Sequence, residues 1–119
     1  MATFSKNILS GSTDGKMIKV VATSSSGTTI HTGPTNTSHL HEVWLYAVNS
    51  DTTARKLTVQ FGGTASPDDD IELTVAAESG LVLVVPGFVL KGNASALVVR
   101  AYAATANVIS IGGYVNQIA

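Results

Sequence analysis

The chain contains no cysteine. Disulfides, thiolate metal sites and a cysteine nucleophile are therefore excluded. Charge is scarce as well. Charged residues make up 13% of the chain, against about 25% in an average soluble domain. The two signs nearly cancel, leaving a net charge of −1. The few Lys and Arg residues are scattered, so no basic field exists to hold phosphates, and nucleic acid is not an expected partner. Long apolar runs are missing too. Runs such as residues 81–85 fall far short of the ~20 residues a membrane helix needs. No membrane association is expected. The opening Met1-Ala2-Thr3-Phe4-Ser5-Lys6 has no basic segment leading into an apolar one, so no signal peptide is expected. The dinucleotide glycine fingerprint, the phosphate loop and the Gly-x-Ser-x-Gly nucleophile elbow are all absent from the sequence.

What is present is apolar and β-branched. The hydrophobic share is 45% in a chain of 119 residues. One domain is expected at this length, with enough core to stand without staples. With so little charge, its surface must be made of Ser, Thr, Asn and backbone, or be partly covered by other chains.

Apolar residues recur with a period of two, between turn residues every eight to twelve positions, as in a sandwich or barrel. In 55–61, Leu57, Val59 and Phe61 share one face; Lys56, Thr58 and Gln60 share the other. In 71–75, Ile71, Leu73 and Val75 point inward. Residues 81–85 are apolar on both faces, end at Pro86-Gly87, and call for cover on both sides. In 97–103, Arg100 and Tyr102 lie opposite Leu97 and Val99; in 108–115, Ile109, Ile111 and Val115 share a side. Gly112-Gly113 marks a bulge or a close backbone approach there. Residues 16–23 place Ile18, Val20 and Ala22 inward, Ser24 to Gly27 form a turn or mobile loop, and 28–32 form a short strand. Residues 40–49 form the longest strand, with Val43, Leu45 and Ala47 on one face and Trp44, Tyr46 and Val48 on the other. The count is about eight strands, with 4–9 a possible ninth. The expected fold is all-β: an antiparallel β-sandwich of jelly-roll or related Greek-key topology. Residues 1–15 form an N-terminal segment or arm, and residues 16–119 form the single domain.

Three histidines are the first candidate site. His39 and His41 would share a strand face, and His31 precedes them on a short strand. Together they have the makings of a zinc site. The competing reading is a set of surface or interface histidines near a loop. Glu42, the nearest carboxylate that could orient a ligand imidazole, points to the opposite face. Asp68-Asp69-Asp70 offers oxygen ligands for calcium, yet Ser66-Pro67-Asp68-Asp69 is ordinary turn chemistry and no EF-hand spacing is present. No carboxylate pair or serine triad can be assembled from the spacing. Neither a catalytic residue nor a cofactor is expected. Trp44 and Tyr46 sit at alternate positions beside Glu42, as core facing both ways or as an aromatic patch for a sugar or a protein. With one Trp, three Tyr and three Phe in the chain, core or a subunit interface fits better than a sugar platform. Asn36-Thr37-Ser38 and Asn93-Ala94-Ser95 match the glycosylation sequon by chance.

Six stretches carry a family likeness. They are Asn7-Ile8-Leu9-Ser10-Gly11-Ser12-Thr13-Asp14-Gly15-Lys16, His41-Glu42-Val43-Trp44-Leu45-Tyr46-Ala47-Val48-Asn49 leading into Arg55-Lys56-Leu57-Thr58-Val59-Gln60-Phe61-Gly62-Gly63, Gly80-Leu81-Val82-Leu83-Val84-Val85-Pro86-Gly87, Leu97-Val98-Val99-Arg100-Ala101-Tyr102-Ala103-Ala104 and Asn107-Val108-Ile109-Ser110-Ile111-Gly112-Gly113-Tyr114-Val115-Asn116. Together they resemble small virion structural proteins of tailed bacteriophages. The resemblance implies a capsid decoration, or cement, protein on the outer capsid surface of a virion, made in the host cytoplasm. It implies a homotrimer that clamps the major capsid protein by burial, without chemistry. The alternatives are a tail-, neck- or fibre-associated virion protein, or a carbohydrate-binding module for host attachment. The residues expected to make contacts are Trp44 and Tyr46, Arg100 and Tyr102, and Phe4 within an arm running from Ala2 to Ser10.

Overall fold

A computed structural model describes residues 3–119; Met1 and Ala2, the first part of the expected arm, lie outside the described residues. Among these residues there is no helix. Nine strands form two antiparallel sheets: β1 (Phe4–Ile8), β2 (Ile18–Lys19), β3 (Thr28–Thr32), β4 (Leu40–Asn49), β5 (Arg55–Phe61), β6 (Asp70–Val75), β7 (Val82–Lys91), β8 (Val98–Ala103) and β9 (Ile109–Ile118). The first sheet runs β1-β9-β4-β7, with β2 lying beyond β1 along the same edge of β9. The second runs β3-β8-β5-β6. The sheets pack face to face, so the chain is an all-β sandwich. The pairs β5·β6, β4·β7, β3·β8 and β2·β9 are those of one long hairpin whose arms pass between the two sheets.

β4 shows why the alternation works. Val43, Leu45 and Ala47 are fully buried, while the residues between them are only half-buried. Their partners are Val59, Leu57, Val99 and Ala101 from the facing sheet and Ile109, Ile111 and Val115 from β9, all buried. Each large aliphatic side chain in this layer contributes about 1.5–3 kcal/mol by leaving water. The accessible surface is 6073 Å². A folded chain of this mass should expose roughly 6,100 Å². The apolar area left outside is therefore a property of the finished fold and not of a loose one.

The structure changes four details of the sequence reading. Strand 16–23 contracts to Ile18–Lys19, although Ile18 and Val20 do point inward. The expected stop at Pro86-Gly87 does not occur: β7 continues to Lys91, Pro86 pairs with Trp44, and two register shifts against β4 fall at Gly87 and Val84. A proline is tolerated here because β7 is an edge strand. Leu81 and Leu83 are exposed, so the second face of 81–85 is not covered within the chain. The loop at Ser24 to Gly27 is pinned in place. Gln60 takes the Gly27 N–H at 2.9 Å and donates to Ser25 Oγ at 2.9 Å. This explains why Gln60, on the face expected to be outward, is buried.

Candidate functional site

The two outer faces of the sandwich differ sharply in chemistry. Register places Phe4, Lys6 and Ile8 of β1 beside Ile118, Asn116 and Tyr114 of β9. These in turn lie beside Leu40, Glu42 and Trp44 of β4, and then Lys91, Val89 and Pro86 of β7. Tyr46 stands opposite Leu83. Directly opposed residues share a side of the sheet. Phe4, Ile8, Leu83 and Val89 are therefore exposed on one face, with Lys6, Glu42, Asn116 and Lys91 set among them. The outer face of the second sheet carries Lys56, Thr58, Gln60, Glu72, Thr74, Arg100 and Tyr102. There Lys56 pairs with Glu72, and Arg100 donates to Thr29 Oγ1 at 3.2 Å.

An aromatic ladder crosses the apolar face. Tyr114 and Trp44 stack with ring centroids 6.2 Å apart and planes 14° from parallel. Lys6 Nζ lies 4.5 Å from the Tyr114 ring centre, on the β1 side. Tyr114 thus has a cation on one side and an indole on the other, an arrangement favoured by its ring quadrupole. Gly87, at φ +83°, lets the Trp44 ring lie against β7; a Cβ there would sit 2.9 Å from the indole. At Gly113 a Cβ would overlap the Trp44 carbonyl oxygen, which settles the Gly112-Gly113 question as a close approach, since the β4·β9 register runs unbroken. The Trp44 indole N–H donates to Glu42 Oε1 at 2.8 Å, and Asn116 Nδ2 donates to the same oxygen at 2.9 Å. These two bonds, the indole's first, hold the Glu42 carboxyl below its usual range.

The expected contact residues therefore fall into two groups. Trp44, Tyr46 and Phe4 share the apolar face, while Arg100 and Tyr102 lie on the opposite, polar face. The N-terminal segment pairs with β9 of its own chain, and all five residues of β1 are exposed.

The histidines divide as well. His31 and His41 are buried at 3% and 8% exposure, where the sequence suggested surface or interface histidines, and face each other in the core near the β1 end. His39 precedes β4 and takes no part; its backbone pairs with Asn36 and Gly92. The contacts define the tautomers. Ser10 N–H donates to His31 Nδ1 at 3.0 Å, so the neutral ring carries its hydrogen on Nε2. That hydrogen points at His41 Nδ1, 2.8 Å away. His41 Nε2–H then donates to Gln117 Oε1 at 3.0 Å. Two imidazole nitrogens sharing a tetrahedral zinc at its usual bond lengths stand roughly 3.3 Å apart. The 2.8 Å spacing is a ring-to-ring hydrogen bond. Among the described residues no group of three His, Asp or Glu side chains is placed to hold a metal. Burial first, then the neighbouring His41, lowers the His31 pKa to about 4.

The acidic run behaves as a turn. Asp69 Oδ2 accepts from Ala65 N–H at 3.0 Å, and the Asp69 carbonyl accepts from Phe61 N–H at 2.8 Å. Gln117, Ser10 and Tyr114 escaped the sequence reading. Only pairing across β1, β9 and β4 brings them to the histidines and to Trp44, and no spacing within the chain announces that pairing.

No family model, curated protein or solved structure matches this chain.

Proposed function

We propose that the chain is a non-enzymatic virion structural protein of the capsid decoration type, which works by burying the outer face of the β1-β9-β4-β7 sheet against other chains. The observation that carries this reading is the asymmetry of the two outer faces. One is polar and internally paired. The other exposes Phe4, Ile8, Leu83 and Val89 around a fixed aromatic ladder. Large apolar side chains gathered exposed on one face of a folded chain favour an interaction site there.

The strand pairing supports the same reading. The pairing of β2 with β9, β3 with β8, β4 with β7 and β5 with β6 supports reading the sandwich as a jelly roll, an architecture used by viral capsid domains. Lectin domains use it too, but a sugar stacks on a free aromatic ring face. Here the rings are turned toward each other and toward Lys6. The partner is the major capsid protein, and the decorating unit is a homotrimer on the outer capsid surface. A tail, neck or fibre location would use the same face.

The test is mass spectrometry of particles purified from the source strain, with copy number measured against the shell protein. The chain is expected at a fixed, high ratio to the major capsid protein. Absence from particles, or presence at a few copies, would remove the decoration reading.

A further inference from the structure

The His31–His41 pair joins three parts of the molecule that are distant in sequence. It holds the Ser10 backbone just after β1, both rings in the core, and Gln117 on β9, whose register partner on β1 is Ser5. We propose that this pair is an acid-operated latch on the N-terminal segment: one added proton breaks the hydrogen-bond chain and loosens β1 and Ser10 while the sandwich stays folded.

Donors and acceptors decide what a proton does here. A neutral pair has two ring N–H donors and two ring acceptors, and all four are used. The acceptors are His31 Nδ1, facing the Ser10 N–H, and His41 Nδ1, facing the His31 ring. A backbone N–H cannot reverse its polarity. A proton on His31 Nδ1 therefore meets the Ser10 N–H head-on. A proton on His41 Nδ1 meets the His31 Nε2–H. Either way a donor confronts a donor inside the protein, where an unmade bond is costly.

Among the described residues no acidic side chain bonds either ring of the pair. β4 brings Glu42, which is turned to the outer face and bound by Trp44 and Asn116. Lys6 on β1 and Lys91 on β7 share that outer face. β8 places Val99 beside His31 and turns Arg100 to the polar face. His39 lies in the loop before β4. The charge that bears on His31 is that of His41, and it opposes protonation.

β1 is the element free to respond. None of its side chains is buried, so its hold is the backbone ladder to β9, the Lys6–Tyr114 contact and the anchor at residues 9–11. The other bonds of that anchor, Thr32 N–H to Ser10 Oγ at 2.7 Å and Gly11 N–H to Ile30 O at 2.9 Å, lie on β3, the strand that carries His31.

Hydrogen exchange of the intact chain from pH 7.5 to 4, read as protection factors for each amide, tests this. Ser10 and β1 should lose protection as pH falls, tenfold per pH unit at most and up to roughly 300-fold in all, the span between an ordinary histidine and one held near 4. Amides of β5 and β8 should hold. In His31→Asn, whose side-chain oxygen can accept from Ser10 without titrating, the loss should be absent. Unchanged β1 protection in the native chain would overturn the proposal. So would loss of β1 only together with β5 and β8, or the native pH profile retained in His31→Asn.

Discussion

Two glycines show how single residues shape the proposed contact face. Gly87 and Gly113 both have φ values in the left-handed half of the map, at +83° and +149°. Both also lie against Trp44, but they face different obstacles. At Gly87 the obstacle is the edge of the indole, which can move. At Gly113 it is the Trp44 carbonyl, which is part of the β4·β9 ladder. Gly87→Ala should cost about 1–2 kcal/mol, from backbone strain and a displaced ring. Gly113→Ala should cost more, because the backbones themselves must part. Urea unfolding followed by the fluorescence of Trp44, the single tryptophan, measures both. Equal costs would mean that the ladder geometry at Trp44 is wrong. Sequence alone offered Gly112-Gly113 as a bulge or a close approach, and Gly87 as the end of a strand. Neither alternative could be decided without knowing that β9 and β7 flank the same tryptophan.

At the scale of elements, period-two alternation carried most of the fold. β4, β5, β6, β8 and β9 lie where their apolar faces put them, because a half-buried strand writes its burial into every second residue. The reading failed where that rule does not apply. β7 is an edge strand, so it tolerates Pro86 and two bulges that would end an inner strand. β2 keeps its inward Ile18 and Val20 but bonds to β9 over two residues only. Gln60 looks solvent-facing by its position, yet the loop at Ser24 to Gly27 closes over it. β1 sits at the other extreme, a strand by pairing with no buried side chain. Removing residues 1–8 should therefore change stability by less than about 1 kcal/mol. Leu9→Ala should cost about 2–5 kcal/mol, since Leu9 is buried at 1% exposure and ends the free segment. Thermal unfolding of the two variants separates them. A large loss on removing 1–8 would mean that β1 is part of the core fold after all.

For the molecule as a whole, the sandwich and its inward faces were legible in the sequence, and so were the second apolar faces of 40–49 and 81–85. Which outer face carries them was not. Trp44 and Tyr46 looked equivalent to Arg100 and Tyr102 as contact candidates, and only sheet order places them on opposite sides. The face built by β1, β9, β4 and β7 is now the specific claim. Hydroxyl-radical footprinting of the free chain and of the chain on purified particles tests it most directly. The account predicts protection of Phe4, Leu83, Pro86 and Val89 on the particle, with Tyr102 and its polar neighbours still reactive. Protection centred on Tyr102 and Arg100, or none on either face, would contradict it.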